Sequence, residues 1–391
     1  MVVVAVIRLK KILLSLFLLF NSIQNVFAEM MTKGKTKFKF LLNLYHQNST
    51  DGRQVFDNSG REQANVFEPM LFIEHQVNEN TALNAHFVFD LWTAASDTRL
   101  DALTGASGDS PIKLQSRGSG NIGIRKESGK WGFSAGFGFS SEYDYRSINA
   151  NMNLQRSFAK DNFTVALGLQ YYLDGVQLFP DLTPPVDADL SEFLSRKIIA
   201  SHLTISQILT RKDIIQIGAN FINARGSLES TASSVLVNGI REIEQLPDTR
   251  SRYAVSSKWV HGFNDKTAMN ISYRRYLDQW DLNAHTAKLS ILREINDDED
   301  FIEISMRWHQ QSKVLYYEDS FATPREFMTS DSDLNKFTSH ELGLFHSANL
   351  GNKKLWGFTL DDFTWNNGIT VYERSTGLIY GYVQSSIGFM F

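Results

Sequence analysis

Apolar and polar residues alternate along most of this chain in segments of about ten residues. The clearest segment is WGFSAGFGFSS at 131–141, where four aromatic residues fall on one face and glycine or serine fills most of the other. Alternation with a period of two indicates β-strands whose faces meet different environments. The pattern predicts sixteen strands, at 36–46, 67–77, 81–92, 118–127, 131–141, 147–158, 162–173, 200–209, 213–226, 250–260, 267–278, 283–294, 301–310, 336–348, 354–367 and 380–391.

The predicted connections alternate in length. Even-numbered strands are followed by short links such as NEN at 78–80 and SGK at 128–130, whereas most odd-numbered strands are followed by much longer segments, as at 47–66. Two short links, 142–146 and 279–282, are exceptions that leave the order intact. Short turns on one rim and long loops on the other are typical of a membrane barrel with both termini in the periplasm. A β-sandwich has no reason to sort its loops in this way.

We therefore predict an all-β fold, a transmembrane antiparallel β-barrel of about 16 strands with short periplasmic turns and long extracellular loops. Tilted strands of ~9 to 11 residues cross the hydrocarbon layer, which agrees with the predicted lengths. In lipid every backbone N–H and C=O group must be paired within the protein, and among sheets only a closed one achieves that. The alternative is a secreted soluble all-β protein, built as one sandwich or two.

The N-terminal segment predicts a secretory signal peptide at 1–28. Three basic residues precede the apolar run ILLSLFLLF at 12–20, and small or apolar residues lead to a cleavage point after Ala28. The run is too short to span a bilayer as a helix, so a retained anchor is the weaker interpretation. The barrel then comprises residues 29–391, and its localisation is the bacterial outer membrane.

The C-terminal segment YVQSSIGFMF predicts the closing strand of the barrel. Its apolar face carries Phe389 and Phe391, while Gln384, Ser386 and Gly388 fall on the opposite face. The last strand of such a barrel pairs with the first. We interpret the terminal aromatic pair as an assembly signal for the barrel-assembly machinery, which is therefore one expected partner together with outer-membrane lipid.

Composition excludes several other kinds of site. The absence of cysteine rules out disulfides, thiolate metal sites, covalent haem attachment and a lipoprotein anchor. The net charge is −4, and removal of the three basic residues of the signal peptide leaves about −7, which argues against a nucleic-acid partner. No cofactor is expected.

The polar face of the strands predicts a lumen of mixed charge. A barrel of about sixteen strands is wide enough for an aqueous channel unless something fills it. One hypothesis is that these charges pair across neighbouring strands and hydrate a pore wall. The other is that they bind a solute or a folded plug, which the glycine and serine stripe at 131–141 favours because a wall without side chains allows close approach. The predicted interior residues are Lys37, Lys39, Glu68, Glu74, His86, Asp90, Arg125, Glu142, Arg252, Lys258, Arg274, Lys288, Glu303, Arg307, His309, Glu341 and Asp361.

Catalytic and metal motifs are largely absent, so we do not expect an enzyme. There is no GxSxG, HExxH or GxxxxGK[ST] segment. DSDLN at 331–335 resembles the start of a calcium loop, but the glycine and the final glutamate of that motif are missing. A hydrolase at the loop rim, which could use His285, Ser339 or Asp278, remains the enzymatic alternative.

Two long proline-bearing loops carry acidic residues, at 180–193 and 321–335. The simpler interpretation is a solvated surface. One of them could instead fold inward and narrow the pore, since long loops of barrels are often functional.

Several segments resemble a family of bacterial outer-membrane barrels catalogued as domain of unknown function 3570. They are LDALTGAS at 100–107, SEYDYRS at 141–147, SHLTISQIL at 201–209, EQLPDTRSRYA at 244–254, YRRYLDQWDLNAHT at 273–286 and RWHQQSKVLYYEDSF at 307–321. The resemblance implies an outer-membrane barrel. It also suggests a barrel that serves an envelope flavin or electron-transfer system, with a small lipoprotein or envelope redox protein as partner.

The matching segments and the predicted interior together give a candidate polar cluster at the lumen and rim. Charge pairs and aromatic groups of this kind could fix loops over the mouth of the barrel. The function we expect is a passive channel or a housing for a small partner protein. The candidate residues are Glu142, Asp144, Arg146, Arg250, Arg252, Arg274, Asp278, Glu303, Arg307, His309 and Glu341.

Overall fold

Sixteen strands close into a single antiparallel barrel. The structure is a computed structural model, and it describes residues 30–49, 63–95, 115–178, 192–231, 234–296, 300–355 and 357–391. The predicted signal peptide at 1–28, the segment 100–107 and nearly all of the loop at 180–193 lie outside the described residues.

The barrel strands follow one another around the ring in chain order. They are β1 (Thr36–Ser49), β2 (Gln63–Asn78), β3 (Thr81–Ala95), β4 (Gln115–Ser128), β5 (Trp131–Ser141), β6 (Tyr145–Phe158), β7 (Phe163–Val176), β8 (Leu194–Ile208), β9 (Asp213–Gly226), β12 (Thr249–Asn264), β13 (Thr267–Asp278), β14 (Asn283–Glu294), β15 (Phe301–Gln311), β16 (Phe337–Asn349), β18 (Phe358–Arg374) and β19 (Leu378–Met390). Outside the barrel lie three short strands and one 3-10 helix, β10 (Ser234–Val237), β11 (Ile240–Ile243), β17 (Lys353–Leu355) and η1 (Ser332–Leu334).

The first and last strands complete the ring. β1 pairs with β19 from Lys37 opposite Met390 to Ser49 opposite Leu378. Beyond the strands, the backbone of Thr36 both donates to and accepts from that of Phe391, at 2.9 and 3.0 Å. Every barrel strand therefore has two hydrogen-bonded neighbours, so that the sheet has no open edge. The predicted closing strand is confirmed.

The outer face of the barrel is apolar. Large hydrophobic side chains point outward at alternate positions on all the strands, with exposed fractions such as 58% for Ile122, 51% for Phe137 and 58% for Val255. A soluble protein rarely exposes so large a continuous apolar area. The alternation in the sequence thus arises because one face of each strand is apolar and points outward, whereas the other faces the lumen. Among the described residues no helix is long and apolar enough to cross a membrane.

The two rims of the barrel differ. One, which we call the turn rim, has tight connections such as 79–80, 129–130 and 265–266. The other, the loop rim, carries the connections 227–248 and 312–336. This is the parity that the sequence predicts, except that the last connection of the loop rim, 375–377, is also short.

Most predicted strand boundaries agree with the structure to within a few residues. The largest shift is in β18, which the pattern placed at 354–367. The chain forms a short hairpin there, because β17 pairs back onto the start of β18 and Gly357 adopts a φ of +84° between them. The barrel strand consequently begins later and continues to Arg374.

Candidate functional site: the lumen and its loop cap

The strand register defines which side chains face the lumen. Directly paired residues on neighbouring antiparallel strands lie on the same side of the sheet. Glu341 is paired with Tyr372 on one side and Arg307 on the other, and Arg307 is paired with Lys288. The same alternation continues around the ring, so the polar face predicted from the sequence is the inner face.

One part of the inner face, which we call the basic wall, is rich in cations. It comprises Arg252 and Lys258 of β12, Arg274 of β13, Lys288 of β14 and Arg307 of β15. Three carboxylates lie on the inner face among them. Asp278 is the direct partner of Arg252, Glu341 Oε2 lies 3.7 Å from the Nη1 atom of Arg307, and Glu303 is close enough to Lys258 and Lys288 to interact with both electrostatically. The five cations outnumber these three carboxylates.

Lys288 and Arg307 occupy directly paired positions on neighbouring strands. Side chains at such positions have Cβ atoms about 4.5 to 5.5 Å apart, and like charges there are destabilising. Arg274 lies diagonally from Lys288, because its direct partner is Thr286. The middle of the basic wall is therefore a compact group of cations.

A second part of the inner face, the acidic wall, comprises Glu68 of β2, Asp90 of β3 and Glu142 beyond the end of β5. Arg117 Nε donates to Asp90 Oδ2 at 2.5 Å, and Asn43 Nδ2 donates to Glu68 Oε1 at 3.4 Å. Asp90 is 3% exposed, and its Oδ1 atom has no hydrogen-bond partner among the described residues. Burial, and then the neighbouring Asp144, raise the pKa of Glu142 to about 7.

The two walls face each other across the barrel. The ring contains sixteen strands, and β3 and β13 lie eight strands apart in either direction. Asp90 on β3 and Arg274 on β13 are therefore on diametrically opposite sides. Charges of opposite sign on opposite walls produce an electric field across the lumen.

Between the walls, on β1, β18 and β19, the lining is aromatic. The rings of Tyr372 and Tyr380 stack with centroids 4.2 Å apart, and Tyr45 lies 5.2 Å from Tyr380. Tyr382 is the direct partner of Tyr45. The opposite stretch, on β6 and β7, is lined by amides, including Asn149, Asn151, Asn153 and Gln170.

The glycine stripe of β5 is not open to a partner. A Cβ atom at Gly138 would lie 2.7 Å from the Nδ2 atom of Asn149, and one at Gly136 would lie 3.0 Å from that of Asn151. The amides of β6 occupy the space that the glycines leave. This corrects the idea that the stripe leaves room for another backbone or a ring, because the barrel fills that space itself.

At the loop rim, the described residues 227–231, 234–248 and 312–336 pack together into a folded unit, which we call the loop cap. The β10–β11 hairpin contributes Val235 and Val237, and the second segment contributes Phe321 and Met328, to a buried apolar cluster. Backbone bridges join Val237 to Phe321 and Gln245 to Met328. The cap is therefore held by packing and by hydrogen bonds between two segments far apart in sequence.

Glu244 is buried where the two segments of the cap meet. Its side chain accepts a hydrogen bond from Thr329 Oγ1 at 2.5 Å and another from the Ser230 amide at 2.9 Å. Burial raises the pKa of Glu244 to about 7. In the same cap, burial and the nearby Asp333 raise the pKa of Asp331 to about 6.

Asp278, whose side chain is fully buried, holds the connection between β13 and β14 on which the cap packs. Its Oδ2 atom accepts from Arg250 at 2.8 and 2.5 Å and from the Tyr276 hydroxyl at 2.9 Å. Its Oδ1 atom accepts from the backbone amides of Trp280 and Leu282. The Arg250 guanidinium also lies over the Trp280 ring, 4.2 Å from its centre. Trp280 in turn belongs to a cluster with Leu246, Val314 and Tyr317 of the cap.

Further contacts attach the cap to widely separated strands. On β8, Arg196 donates to the carbonyl oxygens of Ser227 and Glu229 at 2.6 and 2.9 Å. On β18, Arg374 Nη1 donates to Asp333 Oδ1 at 2.6 Å. β8 and β18 are on different sides of the ring, so the cap crosses the mouth of the barrel. The loop at 321–335 therefore folds inward, which was one of the two expectations for it.

The structure separates the predicted candidate residues into groups. Arg250 and Asp278 support the connection on which the cap packs, Arg252, Arg274 and Arg307 belong to the basic wall, and Glu303, His309 and Glu341 face the lumen beside that wall. Glu142 and Asp144 lie in the short connection between β5 and β6, where burial raises the pKa of Asp144. Arg146 differs from the others, because it lies on the outer face and covers the ring of Phe193 at 4.4 Å.

The two predicted terminal aromatic residues lie on the outer face at the turn rim. The ring of Phe38 stacks on Phe389 and on Phe391, with centroids 5.8 and 5.2 Å apart. Phe363 extends the stack from β18. The aromatic residues of the last strand thus pack against those of the first.

The residues considered for a hydrolase do not converge. His285 lies on the outer face, where it contacts the Tyr273 hydroxyl and Arg275, while Asp278 lies on the inner face and is engaged by Arg250. Ser339 also lies on the inner face, paired with His309. Among the described residues no group of three or more potential metal ligands is present.

Some important residues were not singled out from the sequence. Arg196, Arg374 and the lumenal tyrosines occupy inward positions of their strands, so the alternation could have identified them. Glu244 could not have been found, because its role depends on a contact with Thr329 that no local pattern records.

Solved structures with a similar architecture include outer-membrane proteins. A chain titled "Bacterial polysaccharide outer membrane secretin" is 9% identical with a TM-score of 0.49, covering 90% of this chain and 98% of its own. OccK1 (OpdK) of Pseudomonas aeruginosa is 7% identical with a TM-score of 0.41, covering 91% and 98%. OmpT of Vibrio cholerae is 10% identical with a TM-score of 0.43, covering 93% and 100%.

A comparison with curated proteins gives no match. The family described as "Protein of unknown function (DUF3570)" matches residues 23–385, which is nearly the whole chain. The resemblance inferred from the sequence is thereby confirmed, and the chain belongs to this family of barrels.

Proposed function

We propose that this protein is a passive channel of the bacterial outer membrane, through which small hydrophilic solutes diffuse. The observation that supports the proposal most is the inner face, where charged, amide and hydroxyl side chains continue around the ring. A lining of this kind is stable when water or polar solutes solvate it, because isolated charges in a dry interior are costly. Sixteen strands also enclose enough space for an aqueous path.

The orientation follows from the rims. We place the turn rim in the periplasm and the loop rim outside the cell, which is the arrangement usual for outer-membrane barrels. The loop cap is then the first part of the protein that an external solute meets. Because it crosses the mouth, it restricts passage to small molecules.

Reconstitution into planar bilayers tests the proposal. Purified barrel should give steady, stepwise conductance that rises with salt concentration. The variant Asp278→Asn should increase the conductance or its fluctuations, because the β13–β14 connection on which the cap packs loses its support. The matched control is Asp161→Asn, which removes a carboxylate from an exposed ion pair with Lys130 at the turn rim.

A barrel that never conducts would refute the channel. The alternative is a housing for a small partner, and the flavin or electron-transfer function implied by the family resemblance is one form of it. A closed barrel that co-purifies with a yellow, flavin-bearing lipoprotein would support that alternative. The opposite locations of His285 and Asp278 give little support to a hydrolase.

A further inference from the structure

The charges that line the lumen favour solutes of one sign of charge. We propose that the basic wall is a binding site for small anions bearing carboxylate or phosphate groups, and that it makes the channel selective for anions. This inference rests on the proposed function, since selectivity requires a conducting pore. It goes further by assigning the class of solute and the residues that recognise it.

The first argument is the local charge. Arg274, Lys288 and Arg307 form the compact group in the middle of the basic wall, with Lys258 on the next strand. The neighbouring carboxylates, Glu303 and Glu341, neutralise at most two of these four cations. A site with surplus positive charge in a confined lumen raises the local concentration of anions.

The second argument is the paired arrangement of Lys288 and Arg307. Like charges at directly opposed positions destabilise a sheet, and an anion bound between them removes that repulsion. A guanidinium group binds carboxylate and phosphate through two parallel hydrogen bonds, and an ammonium group adds a compact charge. These two groups side by side therefore match an oxyanion with several acceptor oxygens.

The third argument is the opposite wall. On the far side of the lumen Asp90 is already paired with Arg117, so the surplus positive charge of the lining lies on the basic wall. Glu68 and Asp90, like Arg274 and Lys288 of the basic wall, lie near the middle of their strands rather than at a rim. An anion in the lumen is thus attracted to the basic wall.

The experiment measures the reversal potential in a KCl gradient across a planar bilayer. Wild-type protein should be anion-selective, and Lys288→Gln with Arg307→Gln should lower the anion-to-cation permeability ratio at least about twofold. The control pair Lys130→Gln with Lys212→Gln removes the same charge from exposed positions at the turn rim, and should leave the ratio unchanged. Lys288→Arg should also preserve it. The heat-dependent gel shift of folded barrels verifies that each variant is folded.

Binding of inorganic phosphate, measured by calorimetry in detergent, tests the anion site separately from the channel function. Conductance with cation selectivity, or with a ratio that the double variant does not change, would overturn the anion site and leave the channel standing. Phosphate binding that the double variant abolishes, in a barrel that does not conduct, would support the site and refute the channel. Neither conductance nor phosphate binding would refute both.

Discussion

Replacement of Asp278 by asparagine should destabilise the protein strongly. The change removes one charge from an ion pair whose side chains are 8% and 0% exposed, and it leaves the Arg250 guanidinium buried without its counter-charge. Both carboxylate oxygens of Asp278 accept hydrogen bonds, from Arg250, Tyr276, Trp280 and Leu282. Asparagine replaces one of these acceptor oxygens by an amide donor, so the donors that face it lose their acceptor. Breaking a buried pair in this way costs about 3 to 5 kcal/mol.

The assay is equilibrium unfolding in urea of the barrel reconstituted in lipid vesicles, followed by tryptophan fluorescence. Asp161→Asn is the matched control, because Asp161 and Lys130 form an exposed pair that should be worth about 0 to 1 kcal/mol. Asp161 has a φ of +67°, a conformation that asparagine adopts readily, so the control adds little backbone strain. If both variants lose the same small free energy of unfolding, the argument that Asp278 holds the connection on which the cap packs is wrong.

Three further predictions concern the cap, the glycine at the end of β9, and the junction between β1 and β19. The pKa of Glu244 is raised from 4.5 to about 7, so its contribution to cap stability is full below about pH 4.5 and is lost as the pH rises through 7. Amide hydrogen exchange of the cap, corrected for its intrinsic pH dependence, should be faster at pH 8 than at pH 5. Glu244→Gln should reduce the difference, and the remainder comes from Asp331, whose pKa burial also raises; an unchanged difference would exclude Glu244 as a source. Gly226→Ala should lower the free energy of unfolding in urea by several kcal/mol more than Gly129→Ala. Both glycines have a positive φ, but only at Gly226 would the new Cβ atom meet a backbone oxygen, at 2.0 Å. Equal losses of free energy in the two variants would contradict this. Phe391→Ala should lower the free energy of unfolding by about 1 kcal/mol, through loss of its stacking on Phe38, and should reduce the yield of folded barrel; a wild-type yield would argue against an assembly signal.

The barrel could be predicted from the sequence because lipid and water impose opposite requirements on neighbouring residues. Each of the sixteen strands carries that alternation, and the parity of the connections indicates closure. Segment 131–141, for example, matches β5 at both ends. β17 was missed since a three-residue strand is too short to show a period.

The loop cap could not be predicted, because its segments lie outside the two-sided environment that produces the alternation. The short strands β10 and β11 follow no pattern beyond their own hairpin, and Glu244 meets Thr329 only in the folded protein. The charges of both walls were predicted to face inward. That the two walls lie on opposite sides of the lumen follows only from the number of strands and the closure of the ring, which place Asp90 and Arg274 eight strands apart.

The most direct test of the central claim is the environment of adjacent residues on one strand. The chain has no cysteine, so single cysteines at Met152, which faces outward, and Asn153, which faces inward, can each carry a fluorescent label. In vesicles, brominated lipid should quench the label at position 152, and aqueous iodide should quench the label at position 153. Quenching of both labels by iodide alone would contradict a barrel with hydrocarbon outside and a polar lumen within.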